Sequence, residues 1–227
     1  MVYVTGDMHG DPTRLHDRAL RRLKKGDTLL VCGDFGYIWK GDEAERRLLK
    51  KWGKRKYTVA FLDGAHENFD RLDAFPVSDW NGGRVQVIGG NLLHLLRGEV
   101  YTLEGKTYFV LGGSEEPERE MRQSANTWFE REMPTEQELR HAIERLTAHG
   151  GRVNYMITHE PSAKVGGQLI TRTRELNGVH LFLSLLEETV QFDHWYFGAL
   201  HMDKPVSRRH TAVFRRVLPV DPPPKRR

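Results

Sequence analysis

Short apolar runs that stop on polar, glycine-bearing loops recur along the chain, and the first of them are separated by residues at helical spacing. Val2-Tyr3-Val4 is the first run, and Thr5-Gly6-Asp7-Met8-His9-Gly10 follows it. β-forming residues bounded by glycines read as a buried strand that delivers an acid and a histidine at its carboxyl end. Asp11-Pro12 then looks like a helix start, and Leu15, Ala19, Leu20 and Leu23 fall on one face, so the spacing predicts a helix from Pro12 to Lys25 with its arginines outward. Thr28 to Cys32 is continuously apolar, as in a strand buried on both faces, and it ends on Gly33-Asp34. Asp42 is the expected N-cap of a helix through about Trp52. Tyr57 to Leu62 is a third strand, leading into Asp63-Gly64-Ala65-His66-Glu67-Asn68. Strand and helix in alternation argue for a layered α/β fold.

The pattern changes in the middle. Arg84 to Ile88, Val100 to Leu103 and Thr107 to Leu111 are short strands, and Glu104-Gly105-Lys106 suits a tight turn between the last two, which predicts an antiparallel portion. A long polar section begins at Gly112-Gly113-Ser114, with Trp128 and Phe129 among its few aromatic anchors. Thr135 and Glu138 form a capping box for a helix running to about His149. Val153 to Thr158 is the next strand and leads into His159-Glu160-Pro161. A helix from about Asn177 to Glu188 follows, then a strand from His194 to Phe197 that opens into Gly198-Ala199-Leu200-His201. Val206 to Val217 alternates like a hairpin finishing the sheet.

Length sets the expectation of one domain over residues 1–220, with a basic, proline-rich tail at 221–227. No stretch approaches the roughly 20 apolar residues of a membrane helix, so no membrane partner is expected. The start of the chain goes straight into a strand and lacks a secretory signal. A single cysteine, Cys32, rules out an internal disulfide and points to a cytoplasmic, reducing location. The formal net charge of +4 is mildly basic. Its runs at Arg21 to Lys25 and Lys50 to Lys56 read as solvated helix ends, and no stacking-aromatic pattern accompanies them.

Collected, the ends of five expected strands carry Asp7 and His9, Asp34, His66, His159 and His201. Carboxylates and imidazoles converging on one edge are the donor set of a divalent-metal site. Two cations roughly 3.5–4 Å apart can orient a phosphate and stabilise both attacking and leaving oxygens. His94, His141, His149, His180 and His210 lie off these loops and read as solvated or packed, and His194 as structural. Asn126, Trp128 and Trp39 read as packing residues.

The order of these loops resembles the calcineurin-like metallophosphoesterase family, marked by D-x-H, G-D, G-N-H-[D/E], a lone histidine and G-H-x-H. Here the motifs stand as Asp7-Met8-His9, Gly33-Asp34, Gly64-Ala65-His66-Glu67, His159 and Gly198-Ala199-Leu200-His201. The resemblance implies an α/β fold, a two-sheet β-sandwich flanked by helices, and a dinuclear metal centre. It implies that Asp7, His9, Asp34 and His201 hold a first metal, that Asp34 bridges, that His159 serves the second metal, and that His66 is catalytic, protonating the leaving oxygen or stabilising charge on the phosphoryl group. Manganese is the expected ion, with iron, zinc, nickel or cobalt as alternatives.

Two positions depart from the family pattern. Ala65 replaces the asparagine of G-N-H and Ala199 the first histidine of G-H-x-H, so these are degenerate metal positions and the second site is expected to be weak or empty. Deliberate replacement of ligands in an ordinary enzyme and a natural single-metal form both account for them. A third departure is Phe35-Gly36-Tyr37 after Asp34, where many family phosphatases have D-R-G, and Arg119 or Arg122 is a candidate for gripping phosphate instead. The implied activity is hydrolysis of a phosphomonoester or phosphodiester by metal-bound hydroxide, impaired in this chain. The alternative is a non-catalytic protein that binds a phosphate ligand on the same fold. A nucleotide, a nucleic acid and a phosphoprotein all fit as the phosphorylated substrate.

Overall fold

The computed structural model describes residues 1–114, 119–169 and 177–221. Residues 222–227 of the expected basic tail therefore lie outside the described part. Among the described residues the strands form two sheets. The first, in spatial order, is β13 (Leu218–Pro219), β1 (Val2–Thr5), β2 (Thr28–Val31), β3 (Thr58–Phe61), β6 (Leu92–Leu95), β5 (Gly83–Gly89) and β4 (Val77–Trp80). The second is β11 (Lys204–Pro205), β12 (His210–Ala212), β10 (Gln191–Phe197), β9 (Arg152–Thr158), β8 (Lys106–Leu111) and β7 (Val100–Leu103). β1, β2, β3 and β6 are parallel, as are β8, β9, β10 and β12, and antiparallel strands flank each block.

Side-chain alternation explains the layering. Val2, Val4, Leu30, Ala60 and Leu93 of the first sheet meet Tyr101, Tyr108, Val110, Tyr155 and Ile157 of the second in one apolar core. The residues between them point the other way. Leu29, Val31, Val59 and Phe61 pack on Leu20 of α1 (Arg18–Arg22), Trp52 of α2 (Glu43–Gly53) and Leu72 of α3 (Phe69–Leu72). The short α4 (Arg119–Ser124) sends Arg122 to the carbonyl of Ala65 in the loop after β3. On the far side, Phe109, Met156, Trp195 and Phe197 pack on Leu146 of α5 (Glu136–Ala148), Val165 of α6 (Ala163–Gly167) and Leu183 of α7 (Gly178–Thr189). The architecture is the two-sheet sandwich flanked by helices that the resemblance implies. No described helix is long and apolar enough to cross a membrane.

The helix expected from Pro12 to Lys25 is instead a 3-10 turn at Pro12–His16 followed by α1. Asp17 divides them, because its backbone is extended and its carboxylate caps the Ala19 N–H at 2.7 Å. Arg14, expected to face outward, is buried, donating to Thr5 Oγ1 at 2.7 Å and to the Arg215 carbonyl at 2.9 Å. α3, β4 and β6 were not anticipated. The terminal hairpin forms earlier than expected, Lys204 opposite Ala212, after which the chain crosses to the first sheet, where β13 runs beside β1.

Candidate metal centre

Parallel register brings the candidate residues to one rim. Thr5 pairs with Val31 and Val31 with Phe61 at the ends of β1, β2 and β3, while Thr158 pairs with Phe197 at the ends of β9 and β10. The loops that follow these strands therefore leave the same edge of the sandwich. They turn sharply: His9, Asp34, Ala199 and His201 have φ of 47°, 43°, 47° and 48°, in the left-handed region that non-glycine residues seldom occupy. Strain of this kind persists where the surrounding structure imposes it and collects at functional sites.

The glycines of these loops permit close approach. A Cβ on Gly64 would fall 2.1 Å from Asp34 Oδ1, one on Gly33 1.9 Å from His159 Nδ1, and one on Gly198 2.3 Å from Asp7 Oδ1.

Asp7, His9, Asp34 and His201 each offer a donor atom, all within 4.8 Å of one another. His201 Nε2 lies 3.0 Å from Asp7 Oδ2 and 2.9 Å from His9 Nε2, which is itself 3.8 Å from Asp34 Oδ2. His159 stands behind them, its Nε2 3.8 Å from Asp34 Oδ1 and its Nδ1 3.0 Å from the Cys32 carbonyl. His66 closes on Asp34 twice: its backbone N–H donates to Oδ1 at 2.9 Å, and its Nδ1 is 2.8 Å from Oδ2. Ala65 is fully buried beside it.

Asp7 is buried, and its oxygens face imidazoles, His201 Nε2 at 3.0 Å and His159 Nδ1 at 3.6 Å. A carboxylate in a dry site costs free energy unless a cation meets it. Two buried carboxylates facing neutral-capable imidazoles across a cradle of glycines are a donor set that fits a divalent ion.

The charges respond as such a cluster should. Burial pushes the Asp7 carboxyl up, aided by the like charge of Asp34. Burial would also raise Asp34, but His159 and the hydrogen bonds of His66 outweigh it and hold Asp34 well below the usual carboxylate range. Burial opposes the protonation of His159, yet Asp34, Asp7 and Glu160 raise it to about 9. Contact with Asp7 raises His201, whereas burial lowers His9.

The histidines off the motifs have other partners: His94 contacts Gln86 and Asp63, His141 contacts Glu99, and His180 contacts Glu160. His210 meets Ser207, His194 meets Thr211, and His149 meets the Arg145 carbonyl. Trp39 packs edge-on against Phe129. Arg119 lies over the Trp128 ring at 4.5 Å. Arg122 is spent within the protein, on Glu132 and on the carbonyls of Ala65 and Thr127. Glu67, which the sequence places in the motif without a role, is fully buried, and its carboxyl accepts from the Gly36 N–H at 3.2 Å and braces the loop after Asp34. Its place inside the G-A-H-E motif was the available signal.

The sequence matches the family described as calcineurin-like phosphoesterase over residues 1–202. No curated protein matches it. Among solved structures the chain is similar to the phosphopantetheinyl hydrolase from Mycobacterium tuberculosis, at 15% identity and a TM-score of 0.45, over 100% of this chain and 97% of that one.

Proposed function

Because the chain belongs to the calcineurin-like phosphoesterase family, we propose that it is a metal-dependent phosphoesterase whose centre is built on Asp7, His9, Asp34 and His201. The observation that carries the reading is the buried Asp7 carboxylate, whose donor atom lies within 4.8 Å of those of His9, Asp34 and His201. When bound, a divalent ion would supply Lewis acidity toward the phosphoryl oxygens and the attacking water. The chain's own residues do the rest. Asp34 orients His66 through two contacts, and His66, partly open to solvent, is placed to give a proton to the leaving oxygen. Glu67 and the close-packed glycines keep the rim in shape.

The second ion, in this reading, has Asp34 and His159 but no side-chain donor at Ala65 or Ala199. Ala199 stands at φ 47°, a conformation in which histidine and asparagine are several-fold enriched, which supports a position shaped for such a residue. Loss of two direct ligands should weaken that site by more than the roughly 10 to 100-fold that a supporting residue is worth, and hydrolysis with it. Manganese suits the mixed carboxylate and imidazole set. The substrate is a phosphorylated molecule, nucleotide, nucleic acid or phosphoprotein, and the single buried cysteine suits a cytoplasmic setting.

The test compares this chain with its Ala65→Asn, Ala199→His double variant. Manganese-dependent hydrolysis of an aryl phosphomonoester and an aryl phosphodiester is measured beside calorimetric titration with manganese. The expected outcome is one tight ion in this chain, two in the variant, and a rate higher by orders of magnitude. A variant that binds two ions and remains inert on both esters would sink the phosphoesterase reading and favour a phosphate-binding protein.

A further inference from the structure

We infer that Arg122 is a positioning residue: it holds the loop that presents His66, and it does not grip the substrate's phosphate. The inference rests on the phosphoesterase reading for its kinetic consequence and on geometry for its structural one. Arg122 Nη1 and Nη2 donate to Glu132 Oε2 and Oε1 at 2.9 and 2.6 Å, and Nη2 also reaches the carbonyls of Thr127 at 2.7 Å and Ala65 at 2.9 Å. Only 11% of the arginine side chain and 1% of its glutamate partner are exposed. A two-pronged guanidinium-carboxylate pair of this kind fixes direction as well as distance.

What it fixes is the carbonyl directly before His66. The His66 N–H donates to Asp34 Oδ1, and on the other side Gly64 packs so closely that a Cβ there would fall 2.1 Å from Asp34 Oδ1 and 2.7 Å from His159 Nε2. The Ala65 carbonyl and the His66 N–H belong to one planar peptide, so a displaced carbonyl carries with it the N–H that donates to Asp34 Oδ1 and turns His66.

A second arm reaches the same loop. Arg97 Nε donates to Asp63 Oδ2 at 2.8 Å, and its Nη2 to the carbonyls of Arg131 at 2.7 Å and Glu132 at 3.2 Å. Both arms thus run from residues 131 and 132 to positions 63 and 65, on either side of Gly64. Residues 122–132 act as a buttress for the rim.

The test has two readouts. In the chain as it stands, hydrogen exchange of the His66 amide is compared between Arg122 and Arg122→Ala, with the Leu30 and Val59 amides as the record of global stability. In the Ala65→Asn, Ala199→His background, kcat and KM for the aryl phosphate are measured with manganese, with and without added guanidinium. Expected are His66 exchange faster by about tenfold with the core amides unchanged, kcat lower by about 100-fold at unchanged KM, and partial recovery of kcat by guanidinium. Arg122→Lys, which keeps the charge but not the fork, should fall between the two and serves if the alanine variant does not fold. A rise in KM with kcat and His66 exchange unchanged would overturn the inference and make Arg122 a phosphate ligand. If no variant hydrolyses any ester, the phosphoesterase reading fails, and the exchange measurement alone decides the positioning role.

Discussion

Asp63 stands two residues before Ala65, outside the proposed ligand set, and is buried against Arg97 and His94. Removing one partner of a buried ion pair leaves the other uncompensated, so Asp63→Ala should cost roughly 3–5 kcal/mol, read from urea denaturation. Burial alone would raise this carboxyl, but Arg97 and His94 outweigh it and hold it well below the usual range. Its folded pKa lies under its unfolded one, so the contribution is complete above about pH 4 and disappears as pH falls further. Asp63→Ala should flatten the acid limb of the stability profile. At this scale the proposed metal ligands were legible because each follows a strand within one to four residues, in a recognisable order. The partners of Asp63 and Arg122 were not. Arg97 and Glu132 reach the loop only after the chain has folded back, and no local spacing records such a meeting.

Elements were legible where their ends are chemically marked. Thr135 and Glu138 cap α5 reciprocally, as the sequence suggests, and Glu104 and Gly105 turn between β7 and β8 with φ of 52° and 73°. Thr135→Ala should cost about 1 kcal/mol, measured as a shift in urea midpoint at unchanged slope. Glu138→Ala should cost more, since Glu138 also meets Arg97 at 3.3 Å. Where marks are ambiguous the reading failed. Asp17 can sit inside a helix or start one, and the apolar spacing on both sides of it did not reveal the break. β4 has an outward-facing edge without alternating burial, and the apolar run of β6 is too short to separate strand from helix.

At the scale of the whole molecule, the proposed ligands come from both sheets: Asp7, His9 and Asp34 follow strands of the first, His159 and His201 strands of the second. A bound ion therefore ties the two layers together, and saturation at 100 times Kd should stabilise the protein by about 2.7 kcal/mol, lost again on chelation. Without metal, His159 plays part of that role as a cation. Its folded pKa of about 9 lies above the ordinary 6.5, so its contribution is complete below pH 6.5 and lost as pH rises through about 9. The metal-free protein should weaken over that interval in denaturant titrations. The same long reach governs β13, whose Pro219 lies opposite Tyr3. During synthesis at roughly 5–20 residues per second, β1 leaves the ribosome about 10 to 40 seconds before the strand that covers its edge. Throughout that interval the nascent chain carries an open β edge next to its first two metal ligands, so its exposure to mispairing is set by the speed of translation.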